Sequence, residues 1–231
     1  MPRALAIETS GRVGSIALSD GDSIITESQF PHGLKHAAEI IPNIDRLCRE
    51  HGWAPSDIEH VYVSAGPGSF TGLRIGITLA KTLAFARGIK IIAVPSVRVL
   101  VENAPPEARH AIIVLDAKRD QIFTARFERD DDGWAEREPA HLDSLTGMLS
   151  RAPRPVHLLG EGIPFHEKFV SKGDSSTLLT DATLWRARAS VVAMLGLKAA
   201  RAGAFADAFS LTPIYIRQPE AEEKLAQNRP M

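Results

Sequence analysis

The chain has 231 residues, of which 24% are charged and 44% hydrophobic, and a formal net charge of -1. These values are typical of a soluble globular protein with one or two domains, and they give no sign of a strong nucleic-acid or membrane-surface binder. A single cysteine excludes an internal disulfide, and no apolar run approaches the roughly 18 residues of a membrane-spanning helix. Because the first apolar run, residues 4–7, is too short for a signal peptide, we expect a cytoplasmic protein.

The first half of the chain predicts the element order β-β-β-α-β-α-β. A broad apolar face indicates a helix at residues 34–51, which Pro42 should kink. Apolar runs bounded by turn residues indicate the strands, and a second helix follows the fourth of them. In chain order, the other predicted elements are strands at 4–8, 15–19, 23–27 and 60–64, a helix at 71–87 and a strand at 90–94.

The pattern starts again after Ala104-Pro105-Pro106, the best linker candidate. The elements predicted there are strands at 110–116 and 122–127, a helix at 142–149, a strand at 156–159 and a helix at 184–201. Two copies of strands followed by helical crossovers predict two similar α/β lobes, of which the second is degenerate. We place the lobes at residues 1–102 and 103–231.

The most informative stretch is Ser64-Ala65-Gly66-Pro67-Gly68-Ser69-Phe70-Thr71-Gly72-Leu73-Arg74-Ile75-Gly76, which predicts a strand, a glycine-rich turn and a helix. Such a turn presents backbone N–H groups at the positive end of a helix, a general site for anions and nucleotides. An arginine on the first helical turn could hold a phosphate or a partner carboxylate bidentately. The candidate phosphate-binding residues are Thr9, Ser10, Gly66, Gly68, Ser69, Thr71 and Arg74.

Two acidic residues, Glu8 and Asp116, end the equivalent first strands of the two lobes. Both could face a shared cleft and hold Mg²⁺ for phosphoryl transfer. The alternative is that each carboxylate caps its own turn through nearby backbone N–H groups, and we favour this alternative.

The predicted helix at 71–87 carries small residues at Gly72, Gly76, Ala80 and Ala84, which form one thin stripe along it. Because each glycine costs about 1 kcal/mol relative to alanine inside a helix, close packing of another backbone should offset it. That backbone could belong to a partner protein or to this chain's own sheet, and the residues alone favour neither.

Four motifs carry a resemblance to the TsaB family, and they span most of the chain. They are Leu5-Ala6-Ile7-Glu8-Thr9-Ser10, the glycine-rich stretch at 66–76, Asp116-Ala117-Lys118-Arg119-Asp120-Gln121-Ile122-Phe123, and Leu211-Thr212-Pro213-Ile214-Tyr215-Ile216-Arg217. The resemblance implies a two-lobed, actin-like ATPase (RNase H-like) fold. It also implies a non-catalytic subunit that supports synthesis of N6-threonylcarbamoyladenosine at position 37 of tRNA.

The resemblance further implies pairing with TsaD, the catalytic paralogue, recruitment of the ATPase TsaE, a homodimer when alone, and tRNA contact only through the complex. It implies no resident cofactor, although ATP or ADP with Mg²⁺ could bind weakly at the complex interface. It favours the partner interpretation of the small-residue stripe, so that Gly76→Leu should disrupt association and leave the monomer folded. The interface residues expected on the two helices are His36, Ile40, Ile44, Leu47, Gly72, Ile75, Gly76, Leu79, Ala80 and Leu83.

Two rival functions compete with this hypothesis. The first is an actin-like kinase or ATPase that uses Glu8, Asp116 and the loop at 66–72. The second is a metallopeptidase-like role, for which His32 and His36 have ligand spacing, but we favour a solvated helix start and predict no metal site. A small basic group could touch tRNA phosphates; it consists of Lys118, Arg119 and Arg126. We favour a solvated strand rim, because two or three cations give little affinity for tRNA at physiological salt.

Overall fold

Two five-stranded sheets form the framework of the computed structural model, which describes residues 1–31, 36–171 and 173–217. The first sheet contains β1 (Arg3–Glu8), β2 (Val13–Asp20), β3 (Ser23–Pro31), β4 (His60–Gly66) and β5 (Lys90–Pro95). The second contains β6 (His110–Asp116), β7 (Ile122–Asp130), β8 (Gly133–Asp143), β9 (Val156–Leu159) and β10 (Thr177–Leu179). Their strand orders are β3-β2-β1-β4-β5 and β8-β7-β6-β9-β10. The second sheet therefore repeats the strand order of the first, with β6–β10 in the places of β1–β5.

The pairing directions repeat as well. The first strand of each sheet runs antiparallel to the second and parallel to the fourth: β1 pairs in this way with β2 and β4, and β6 with β7 and β9. The predicted pair of similar α/β lobes is therefore confirmed. The carboxyl ends of β1 and β6, which carry Glu8 and Asp116, occupy equivalent places.

The helices form layers on both faces of the first sheet and on the outer face of the second. In chain order they are α1 (His36–Glu50), α2 (Phe70–Arg87), α3 (Ser96–Val101), α4 (Leu145–Arg151), α5 (Ile163–His166) and α6 (Ala189–Arg201). Successive side chains of a strand point to opposite faces, so each sheet contributes to two cores. The odd-numbered Leu5 and Ile7 of β1 pack in the outer core with α1 and α2, while Ala4 and Ala6 pack in the central core with α3 and α6. Helices α4 and α5 cover the outer face of the second sheet.

The last helix returns to the first lobe. Helix α6 packs against β1, β2, β4 and β5, although it follows the whole second sheet in the chain. Its Gly196 lies against the ring of Tyr62, which is fully buried. The division at residues 102 and 103 separates the two sheets, but it stays a prediction for the lobes as units.

The sequence missed four elements and placed the starts of two helices too early. The elements not predicted are α3, β8, α5 and β10. Helix α4 begins at Leu145, after Ser144, whose hydroxyl accepts a hydrogen bond from the N–H of Gly147. Helix α6 begins at Ala189 because a 3₁₀ turn (Ala182–Trp185) precedes it. Across the described ranges, every helix is too short or too polar to cross a membrane.

Candidate functional site

A cleft of about 630 Å³ lies between the two lobes at the carboxyl ends of β1 and β6. It brings together the turn after β1, the loop before α2, the end of β6 and the turn after β9. The residues that line it are Ser10, Gly11, Arg12, Gly68, Ser69, Leu115, Asp116, Lys118, Phe123, Glu161 and Gly162.

Glu8 is fully buried behind this cleft. Its Oε1 accepts hydrogen bonds from the N–H (2.5 Å) and the hydroxyl (2.6 Å) of Ser10, and its Oε2 accepts one from the hydroxyl of Ser64 at 2.6 Å. Burial raises the pKa of the Glu8 carboxyl, and these hydrogen bonds only partly oppose it. Glu8 thus makes the turn-capping contacts that the sequence offered as the alternative to Mg²⁺ binding.

Asp116 lies at the cleft wall and is also bonded within the chain. One carboxylate oxygen accepts from the Lys118 backbone N–H at 3.1 Å and lies 3.1 Å from His166 Nε2, and the other accepts from Lys118 Nζ at 2.7 Å. Burial alone would raise the pKa of Asp116, but the hydrogen bonds from Lys118 and His166 hold it below its ordinary value. A cation that approached Asp116 would therefore have to displace an ammonium group.

The turn between β6 and β7 holds Lys118 in place. Lys118, Arg119 and Asp120 have φ values of 65, 56 and 55°, the left-handed region that residues other than glycine rarely adopt. Two hydrogen bonds close the turn, from Ala117 N–H to the Gln121 carbonyl and from Gln121 N–H to the Lys118 carbonyl. Such conformations persist only where surrounding contacts fix them.

The other groups predicted to bind phosphate are largely bonded to the chain itself. The Thr9 hydroxyl donates to the Gly72 carbonyl at 2.7 Å, and the Ser69 N–H donates to the Ser10 carbonyl at 2.7 Å. A Cβ at Gly68 would collide with the Ser10 carbonyl, and one at Gly66 would lie 2.8 Å from the Ile214 carbonyl oxygen. The loop before α2 thus packs onto the turn after β1.

Four of the seven candidate phosphate-binding residues are not part of the cleft lining: Thr9, Gly66, Thr71 and Arg74. Thr71 is exposed, and the Arg74 guanidinium lies 4.0 Å from the ring centre of Phe70 and donates to the Tyr215 hydroxyl at 3.2 Å. The structure therefore brings Glu8, Asp116 and the loop glycines to one end of the sheets and directs Arg74 toward the C-terminal segment.

No group of three metal-binding side chains occurs among the residues that the structure describes. His32 lies outside those residues, and so does the side chain of His36, at whose backbone α1 begins. Their predicted roles stay predictions.

The small-residue stripe of α2 faces this chain's own sheet. Gly72, Gly76 and Ala80 are all buried. A Cβ at Gly72 would collide with the Thr9 carbonyl, and one at Gly76 would lie 2.5 Å from Thr9 Oγ1 and 3.3 Å from Val63 Cγ2. The stripe could pack against a partner protein or against this chain's own sheet, and in the structure it packs against the sheet. Gly76→Leu would therefore disturb the fold itself, which corrects our expectation of a clean effect on association.

The remaining predicted interface residues divide by exposure. Ile40 and Leu47 are buried in the outer core, whereas Ile44, Ile75, Leu79 and Leu83 are half-buried. Three other apolar side chains on and beside these helices are exposed, and the sequence analysis did not predict them as interface residues. These are Ile41, Phe85 and Phe209, with Ile41 53% exposed and the two phenylalanine rings in contact.

The fourth motif of the sequence forms a strap that runs along α2 and ends at the turn between β6 and β7. Lys81 Nζ donates to the carbonyls of Phe209 and Leu211, and Ile214 N–H donates to the Ala65 carbonyl at 2.7 Å. At its end, Arg217 donates to the Ala117 carbonyl at 2.7 Å. The strap thereby connects the first lobe with the turn that holds Lys118.

Sequence reasoning missed Glu161 and His166, which belong to the cleft region. Glu161 Oε2 accepts a hydrogen bond from the Arg12 N–H at 2.8 Å, and His166 is 1% exposed beside Asp116. The only sequence signal was the glycine pair, Gly160 and Gly162, that flanks Glu161.

Comparison with known proteins identifies the family. A family model described as "TsaD: tRNA N6-adenosine threonylcarbamoyltransferase" matches residues 32–225. The chain is 32% identical to the "tRNA threonylcarbamoyladenosine biosynthesis protein TsaB" of Bacillus subtilis, over 97% of this chain and 98% of that protein. It is 29% identical to the protein of the same name from Escherichia coli, over 57% of each chain.

The fold agrees with a solved structure, "YeaZ from Pseudomonas aeruginosa". Its TM-score is 0.78 at 24% identity, over 93% of this chain and all of that one. The chain therefore belongs to the TsaD-related family that the matching model describes and, within it, to the TsaB family.

Proposed function

We propose that this protein is a non-catalytic subunit that supports N6-threonylcarbamoyladenosine synthesis in tRNA by pairing with a TsaD protein. The names of its relatives from B. subtilis and E. coli supply the pathway. The observation that carries the non-catalytic role is that both strand-end acids, Glu8 and Asp116, are bonded to groups of this chain.

Mg²⁺ and ATP fit these residues poorly. A magnesium ion needs accessible carboxylate oxygens, but Glu8 is fully buried and Asp116 already binds the Lys118 ammonium. Phosphates need free N–H groups, but those of Ser10, Arg12 and Ser69 donate to acceptors of the chain. The rival kinase or ATPase function is therefore not favoured.

The partner surface that we propose lies on the exposed sides of α1 and α2. Ile41 and Ile44 lie one turn apart on α1, so they share a face, and Ile75, Leu79 and Leu83 extend the apolar surface along α2. Ile41 is exposed and the other four side chains are half-buried, and apolar surface left exposed in this way marks sites of protein association. We propose that TsaD occupies this surface in the complex and that a second copy of the chain occupies it when TsaD is absent.

Three further features belong to the same proposal. TsaE joins the pair formed by this protein and TsaD, tRNA is bound through the complex, and any ATP or ADP with Mg²⁺ binds weakly at the complex interface. The cytoplasm is the location that we propose for this assembly.

Co-expression with TsaD and TsaE of the same organism, followed by affinity purification, tests the proposal. Ile41→Asp should lower the yield of co-purified TsaD by about tenfold, the effect of losing about 1.4 kcal/mol of binding. Met194→Asp on α6 is the matched control, because Met194 is a helical residue with 52% exposure against 53% for Ile41. We expect it to retain TsaD at the yield of the unmodified chain.

Calorimetric titration of the isolated chain with Mg-ATP separates the proposal from the rival enzyme. Weak or absent binding is expected. Tight binding together with turnover by this chain alone would contradict the non-catalytic role, whatever the result of the co-purification.

A further inference from the structure

A segment of the second lobe contacts the turn between β1 and β2. The Arg12 N–H donates to Glu161 Oε2 at 2.8 Å, and a Cβ at Gly11 would lie 3.0 Å from the same oxygen. The Arg12 guanidinium lies 4.9 Å from the ring centre of Phe165, four residues after Glu161. Two residues of the second lobe thus contact one residue of the first, one through its backbone and one through its side chain.

Glu161 presents an anion to the backbone of this turn. A carboxylate oxygen and a phosphate oxygen are both charged acceptors, and each makes a charge-assisted hydrogen bond with a backbone N–H. The Glu161 carboxylate therefore takes the acceptor position at the Arg12 N–H, and its charge repels a second anion at the same place. Glu161 and the turn residues 10–12 line the same cleft, together with Gly68 and Ser69.

We propose that Glu161 is a built-in anion that latches the second lobe onto the turn at residues 10–12 and closes that part of the cleft to polyphosphates. On this proposal, the contact between the two lobes at this turn forms without a bound phosphate. The latch goes beyond the proposed subunit role, because it concerns the isolated chain and stands whether or not the chain pairs with TsaD.

Three variants and two measurements test the latch. Glu161→Ala removes the acceptor, Glu161→Gln keeps an acceptor without charge, and Glu167→Ala removes an exposed carboxylate from the neighbouring 3₁₀ turn (Glu167–Phe169) as a control. Calorimetry measures the affinity for inorganic tripolyphosphate. Nuclear magnetic resonance measures hydrogen exchange of the Arg12 amide.

We expect Glu161→Ala to bind tripolyphosphate at least about tenfold more tightly than the unmodified chain, with Glu161→Gln between them, since charge-assisted bonds are roughly twice as strong as neutral ones. The Arg12 amide should exchange faster in Glu161→Ala, while Glu167→Ala should match the unmodified chain in both measurements. If Glu161→Ala does not fold, Glu161→Gln carries the same test. Unchanged tripolyphosphate affinity in a folded Glu161 variant overturns the proposal, and so does an equal gain in Glu167→Ala.

Discussion

Gly72 is the position where the packing of α2 on the end of β1 can be tested most directly. Replacement by alanine would place a Cβ well inside 3.0 Å of the Thr9 carbonyl oxygen, a distance that real Cβ atoms essentially never show. The obstacle is backbone, so the start of α2 must move away from β1. That movement also disturbs the buried hydrogen bond from the Thr9 hydroxyl to the Gly72 carbonyl.

The expected change in the free energy of unfolding combines one stabilising effect and two destabilising effects. Alanine gains about 1 kcal/mol of helix propensity over glycine. Overpacking costs about 1–3 kcal/mol, and loss of the buried hydrogen bond costs about 1 kcal/mol. We therefore expect Gly72→Ala to lower the free energy of unfolding by about 2 kcal/mol, which for a chain of this size lowers the Tm by about 4–8 °C.

Thermal and urea unfolding, followed by circular dichroism, measure the effect. Thr78→Ala is the control, because Thr78 lies on the exposed side of the same helix and should change stability by less than about 0.5 kcal/mol. If Gly72→Ala is as stable as the unmodified chain, or gains the stability that helix propensity alone predicts, then the close approach of α2 to Thr9 is not what requires glycine.

Two predictions concern pH. Burial raises the pKa of Glu8 above 4.5, so the stability that its protonated form contributes is complete below that pH and is lost as the pH rises through the folded-state pKa. Glu8→Gln should therefore gain stability relative to the unmodified chain as the pH rises above 4.5 in urea unfolding, and a constant difference would contradict the burial of an ionisable group. Burial also raises the pKa of Tyr62 to about 12, so in Tyr215→Phe the remaining phenol should ionise near that pH in an ultraviolet titration, with stability falling as the pH rises from 10. Ionisation near pH 10 in the folded variant would show that Tyr62 is accessible to water.

The five strands of the first lobe and its helices α1 and α2 were predictable because their signals are local. Each apolar run of its central strands is bounded by turn residues, and α2 is preceded by Ser69 and followed by Gly88, whose φ of 71° suits a helix end. The second lobe was predicted less completely. Strand β8 is an edge strand with many polar side chains, so its hydrogen bonds to β7 are made without the apolar alternation that sequence reasoning requires.

The site was predictable in position and in its local contacts, but not in its distant ones. The placement of Glu8 and Asp116 at equivalent strand ends follows from the repeat, and the capping of each carboxylate by a backbone N–H two residues on was the favoured alternative. Their distant partners could not be predicted, because Ser64 lies 56 residues from Glu8 and His166 lies 50 residues from Asp116. Glu161 is 149 residues from Arg12, and no local pattern joins them.

The small-residue stripe on α2 shows the same limit of sequence-based prediction, in this case for a packing surface. Small residues at Gly72 and Gly76 predict that some backbone or bulky group comes close, and the structure has Thr9 and Val63 there. The sequence could not distinguish this chain's sheet from a partner, because both would offer the same steric reason for glycine.

The return of α6 to the first sheet has a consequence for synthesis on the ribosome. Residues 1–95 contain all five strands of that sheet, but the helix that covers the central part of its inner face is made only at residues 189–201. Until then the inner side chains of β1 and β4, including Tyr62, lack the surface of Gly196. The inner face of the first sheet therefore stays partly uncovered until nearly the whole second lobe has been translated. A fragment that ends at residue 102 would expose the same face.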